Sequence, residues 1–401
     1  MSEITQNISS LGDLPDIADP STFEPRMNAL VTSALPGLRT EINTWAGQAN
    51  TMASELAALS AIAALLVGSG GSVSAARAAI GLDYPGLAAS VGSSALTISL
   101  KTPVGNDPTL SNPVVVPVRS ATLSSGAMNL RSVTAAQSIT IPSTATMGQS
   151  NGVAARLWVA LIDNAGTLEL AVINTQLGSG QIHPVNESGL ISTTALGTGS
   201  DSAGVWYSTA ARSNVPFRLI GYIESTQATA GTWASAPAVI QPMGPGVRRP
   251  GEVVQVVCNA TGAAATGTTV LPADDTIPQI TEGDQYMTQA ITPTSAINTV
   301  EVNVLAYLAT NAAAGTGVTA ALFQDSTAGA LAAALKTSPG TGYMNDFKVE
   351  HTNRAATTSA TTFRVRGGAS AAGTTTFNGT GGGRQLGGVL YSYLKVTERM
   401  A

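Results

Sequence analysis

From about Thr97 onward the chain is written in short alternating runs separated by turn-forming spacers, and this pattern constrains its fold more than any other feature. Arg156-Leu-Trp-Val-Ala-Leu-Ile162 and Thr167-Leu-Glu-Leu-Ala-Val-Ile173 flank Asp163-Asn-Ala-Gly166, the composition of a hairpin. Residues 217–223 read as another strand. Within 297–308, Val300, Val302, Val304 and Ala306 fall on one face, while Glu301, Asn303 and Tyr307 fall on the other. Residues 253–257, 361–366 and 390–396 repeat the alternation, with Gly, Ala, Ser and Thr filling the spacers. Only 328–336 reads as helical in this region. Many short strands at this spacing predict a mainly β chain of β-sandwich or jelly-roll-like domains rather than a parallel sheet.

The first 70 residues read differently. Asp19-Pro20 followed by Ser21-Thr22-Phe23-Glu24 marks a helix start. Pro36-Gly37 then breaks the pattern, and a second helix is expected over 38–67. Along it Leu38, Ile42, Trp45, Ala49, Met52, Leu56, Leu59, Ala63 and Leu66 recur at alternating steps of four and three, the spacing of a coiled-coil seam. Ile42, Trp45, Met52, Leu56, Leu59 and Leu66 are therefore the expected oligomer interface. Arg39, Glu41 and Glu55 are too few to specify a charge-paired dimer, and a helix packed on a neighbouring protein fits the same pattern. A Gly/Ser break over 68–72 and a short Ala-rich helix over 73–80 follow. The Pro- and Gly-rich segment 241–251 is the clearest boundary. The expected segments are thus 1–70, helical attachment and oligomerisation; 71–96, linker with a short helix; 97–245, middle β domain; and 246–401, C-terminal β-sandwich.

Composition decides which partners such a chain can have. Charged residues are 11% of the sequence, against roughly 25% in an average soluble chain. The apolar stock is dominated by Ala and Val, so each buried side chain removes little area from water. Burial against copies of the same chain offsets that deficit, and an obligate oligomer is expected. A net charge of −5 with four lysines argues against nucleic acid. The apolar run 56–67 is shorter than the ~20 residues that cross a bilayer, so no membrane insertion is expected. The first six residues lack the basic and apolar segments of a secretory signal, which implies synthesis in a cytoplasm. Cys258, the single cysteine, excludes an intrachain disulfide and reads as a buried, inert thiol.

Catalytic patterns are sparse. None of Lys101, Lys336, Lys348 and Lys395 follows a glycine, so there is no Walker A loop. His183 and His351 lie in different segments and read as solvated loop or strand-face residues. Gly148-Gln-Ser150-Asn-Gly152 fits G-x-S-x-G but lacks the strand-to-helix setting of a nucleophile elbow, and reads as a turn. Asp274, Asp275, Glu282 and Asp284 read as a solvated strand entrance. Arg364, Arg366 and Arg384 read as exposed strand faces that could pair across protomers. No catalytic, cofactor-binding or metal-ligating residue is assigned, and the expectation is a protein without enzymatic activity.

Several stretches carry a resemblance. Pro272-Ala-Asp-Asp-Thr-Ile-Pro-Gln-Ile-Thr-Glu-Gly-Asp284, Ala321-Leu-Phe-Gln-Asp325, Phe363-Arg-Val-Arg366, Phe377-Asn-Gly-Thr380 and Leu394-x-Val-Thr-Glu398 resemble C-terminal domains of tailed-bacteriophage fibre proteins. The stretch from Arg156 through Gly231-Thr-Trp233 to Pro245-Gly246 is similar to a module found upstream of such domains, and Asp19-Pro-Ser-Thr-Phe-Glu-Pro-Arg26 to their N-terminal segment. The resemblance implies a homotrimeric virion tail fibre assembled in the host cytoplasm. Its N-terminus would dock on the phage tail or other virion proteins, and its jelly-roll tip would contact a glycan or protein of the bacterial surface. A fibre or decoration protein joining virion components without receptor contact is the alternative. A tailspike depolymerase ranks below both, because no right-handed β-helix repeat is visible. The expected receptor contacts are Asn353 and Arg354, on a loop over 351–360, with Tyr343 and Asn345 just before the preceding strand.

Overall fold

The computed structural model describes residues 20–29, 32, 35–68, 84–177, 181–183 and 185–401. Two compact units divide the chain, residues 1–80 and 81–401. The first unit contains helices α1 (Pro20–Ala29) and α2 (Leu35–Gly68). At a rise of 1.5 Å per residue, α2 is a rod of ~51 Å. It starts at Leu35, so Pro36 lies in the first turn, where a missing N–H leaves nothing unpaired. Pro36-Gly37 therefore belongs to the helix and does not break it. Thr40, Thr44 and Thr51 donate their hydroxyls to the carbonyls of Pro36, Thr40 and Gly47 at 2.9, 2.9 and 3.0 Å, which satisfies them within the helix. The helix expected over 73–80 lies outside the described residues.

Among its described residues the second unit is built of β-strands, with one 3-10 turn at Leu386–Gly388. Strands β1 (Gly86–Gly92), β2 (Ala95–Lys101) and β5 (Ser138–Ile141) form one small sheet, while β3 (Val114–Arg119) and β4 (Met128–Val133) pair separately. The expected hairpin is β6 (Ala154–Asn164) and β7 (Thr167–Asn174). Its two-residue turn puts Ala165 at φ 51° and Gly166 at φ 103°, and Gly166 donates its N–H to Asp163 Oδ1 at 2.7 Å. β6 pairs on its other side with β8 (Phe217–Thr226), which pairs with β9 (Val239–Pro242). Every residue of β6 except its two ends is buried. Leu157, Val159 and Leu161 enter a core with Leu96, Ile98, Val116 and Ile139 of the small sheets. Trp158, Ala160 and Ile162 enter a second core with Phe217, Leu219 and Met400.

The last eight main strands are β10 (Val253–Thr261), β11 (Asp284–Ile291), β12 (Thr299–Thr310), β13 (Gly317–Gln324), β14 (Ala332–Thr337), β15 (Met344–Arg354), β16 (Thr361–Ala369) and β17 (Ser392–Arg399). They pair antiparallel as first with eighth, second with seventh, third with sixth and fourth with fifth. The pairs alternate between two sheets, ordered β10-β17-β12-β15 and β11-β16-β13-β14. That is one long hairpin rolled over on itself, the jelly-roll topology. Phe347, Phe363, Leu322 and Val302 fill the space between the sheets with exposures of 0–1%. Side chains close both flanks. Gln255 and Asn259 donate to the carbonyls of Thr292 and Thr288 at 2.7 and 2.9 Å, and Lys336 pairs with Asp346 at 2.6 Å. The helix expected over 328–336 is strand β14, because pairing with β13 overrides the helix propensity of its alanines.

Candidate functional site

The expected seam residues lie on α2. Ile42, Met52 and Leu56 are each more than half exposed, and Trp45 is partly covered. Leu59 and Leu66 belong to the helix, but their side chains lie outside the described residues. Among the described residues, Ile42, Met52 and Leu56 of the row are thus exposed.

The four expected receptor residues do not form one surface. β15 runs unbroken from Met344 to Arg354, so the connecting loop spans only 355–360. Ten steps at about 3.3 Å place its ends ~33 Å apart. Its alternation turns Asn345, Phe347, Val349, His351 and Asn353 inward, and Asp346, Lys348, Glu350 and Thr352 outward. Asn345 is 7% exposed, and Asn353 donates to Gln324 Oε1 across the sandwich at 3.5 Å. Arg354 donates to the carbonyl of Ala154 on β6. Asn345 is thus buried, Asn353 and Arg354 are half-buried and bonded within the chain, and Tyr343 is the exposed member of the four. His351 is half-buried in the sandwich, and burial holds its pKa below the ordinary imidazole value.

Other residues also differ from expectation. Cys258 is exposed, because the alternation of β10 turns Val257 inward and the thiol outward. Arg364 and Arg366 are half-buried: Arg366 donates to the carbonyls of Glu282 and Gly283 at 2.9 and 2.7 Å, and Arg364 to that of Asp325. Asp274 accepts from Thr276 within a local turn, and Asp284 accepts from Thr269, fifteen residues earlier, so both carboxylates are engaged. Burial, then the Asp284 charge, pushes the Tyr286 phenol well above its usual range.

The densest polar constellation joins the hairpin sheet to the jelly roll. Arg156, 1% exposed, opens the apolar run Leu157–Ile162 of β6. Its Nε and Nη2 donate to Glu224 Oε1 at 2.9 and 2.5 Å. Its Nη1 reaches Asn298 Oδ1 at 3.0 Å and the Ala401 oxygen at 2.9 Å, and Trp158 Nε1 donates to that same oxygen at 3.0 Å. The guanidinium also lies 4.7 Å from the centre of the Tyr222 ring. Asn298 continues the network to Glu398 Oε1 at 2.6 Å. Burial opposes ionisation of Glu398, but hydrogen bonds from Asn298, Gln255 and Thr294 outweigh it and hold the pKa below the usual glutamate value.

A β-bulge aims this site. Tyr222 and Glu224 pair directly with Trp158 and Arg156, but only because the register shifts by one residue between Leu219 and Gly221. Without the shift the opposite face of β8 would meet Arg156. Gly221 is required there: a Cβ would lie 2.4 Å from the Gln241 carbonyl oxygen and 2.5 Å from Leu87 Cδ1. Beside the network lies a cleft of about 490 Å³ lined by Tyr222, Glu224, Thr226, Ser295, Thr358 and Met400.

No family model matches the sequence, and no curated protein matches it. Among solved structures, the chain is similar to the infectious bursal disease virus VP2 subviral particle at 12% identity and a TM-score of 0.21, over 80% of this chain and 78% of that one. It is also similar to the insecticidal delta-endotoxin Cry8Ea1 of Bacillus thuringiensis at 8% identity and a TM-score of 0.20, over 79% of this chain and 52% of that one. At TM-scores near 0.2 these likenesses carry no argument about function.

Sequence reasoning misses Arg156, Tyr222 and Glu224. One signal was available: an arginine inside an apolar strand needs a carboxylate, and Glu224 lies on a neighbouring run.

Proposed function

We propose that this chain is a structural virion protein, a homotrimeric phage tail fibre that mediates attachment to the bacterial surface without catalysing a reaction. The carrying observation is the division of the chain into a unit whose 34-residue helix exposes a heptad row and a unit that ends in a jelly roll. A heptad row pays off against helices of the same period, and further copies of this chain supply them. A jelly roll holds its connecting loops on a rigid frame, a setting suited to recognition. In this reading the N-terminal helices engage the tail or other virion proteins, and the β unit reaches the host. Purified chain, added to host cells before the particles, is expected to occupy receptors and reduce adsorption. Undiminished adsorption at saturating chain would overturn the attachment role and favour a protein that joins virion components.

A further inference from the structure

We propose that the cleft beside Arg156 binds a neutral saccharide through Glu224, Tyr222, Thr226 and Thr358; this rests on the attachment reading and adds a site to it. Tyr222, Glu224 and Thr226 follow at every second residue of β8, so they project on one face at intervals of about 6.6 Å. Both Arg156 bonds go to Oε1 of Glu224, and Oε2 has no hydrogen-bond partner among the described residues. The hydroxyls of Tyr222, Thr226 and Thr358 likewise have none, and all four residues line the same cleft. Its volume, about 490 Å³, falls in the roughly 300–1,000 Å³ range of small-molecule sites.

The charge arrangement selects the ligand class. Arg156 is bonded at all three nitrogens, so its own guanidinium leaves no free nitrogen for an anion. The remaining Glu224 oxygen accepts only, and it repels carboxylates and phosphates. A cation gains little, because Arg156 already compensates the Glu224 charge at 2.5 Å. The groups left are one fixed acceptor and three hydroxyls that both donate and accept, which match the hydroxyls of a pyranose. The other walls carry Ala238, Val239, Ala296, Ile297 and Met400, an apolar surface on which the C–H face of a pyranose ring can rest.

Saturation-transfer NMR on the full chain with the methyl glycosides of glucose, galactose and mannose, and with glucuronate as the charged counterpart, tests the site. At least one neutral glycoside is expected to bind, and glucuronate to bind about tenfold more weakly or not at all. Tyr222→Phe keeps the ring against Trp158 and Arg156 and removes only the hydroxyl. Paired with Thr226→Val, it is expected to weaken glycoside binding about tenfold with the unfolding temperature unchanged. Absence of binding by every glycoside, equal binding of glucuronate, or wild-type affinity in the double variant would overturn the proposal. Glycoside binding without competition for adsorption would uphold the cleft and remove the attachment reading. Competition without glycoside binding would do the reverse.

Discussion

At the scale of single residues, Arg156 carries the most consequence. Its charge is buried, and its partners come from the hairpin sheet and the jelly roll alike. Arg156→Ala leaves Glu224 and the Oδ1 of Asn298 without their partner and is expected to cost about 3–5 kcal/mol in denaturant unfolding, with Arg156→Met costing less. Gly221→Ala forces β8 away from β9, so it is expected to destabilise the same junction although it removes no contact. Calorimetry at falling pH tests the titratable groups. His351 and Glu398 both have folded pKa values below their ordinary 6.5 and 4.5. The unfolded chain therefore binds more protons, and the stability they contribute is full above those values and lost as pH falls through them. Unfolding temperature is expected to fall first below pH ~6.5 and again below ~4.5; a flat profile across the acid range would contradict both placements.

At the scale of elements, legibility followed period. The β6–β7 hairpin and the alternation of β12 are readable because side chains two apart share a face, and the structure has both. β15 obeys the same rule, and Asn345, Phe347, Val349, His351 and Asn353 spell it out. Polar residues in the inward set disguise the strand as a loop, so Asn353 and Arg354 read as receptor contacts. The bulge at Gly221 has no such signature: a register shift depends on the partner strand, which a local pattern does not contain. β14 is misread for a related reason, since its alanines suit a helix until β13 offers a ladder. Phe347→Ala is expected to cost about 3–5 kcal/mol by leaving a cavity between the sheets. Asp346→Ala, on the outer face of the same strand, is expected to change stability by less than about 0.5 kcal/mol.

At the scale of the whole molecule, the chain combines low charge, small apolar side chains and a heptad row whose Ile42, Met52 and Leu56 are exposed. Self-association is the proposal that combination supports, and Leu56→Asp is expected to weaken it by placing a charge in a desolvated seam. Light scattering should then report a smaller species for the variant, with unchanged near-ultraviolet signal from the β unit. Residues 81–401, a compact unit with their own cores, should remain folded when the helices are removed. The proposed attachment role requires the chain to lie at the outer end of the tail, and its position on the intact particle decides it. Electron cryo-microscopy of the virion, with the chain marked by an antibody raised against residues 246–401, is expected to show three copies per fibre and the label at the outer end of the tail. Label at an internal junction of the particle, or on the capsid shell, would contradict the account.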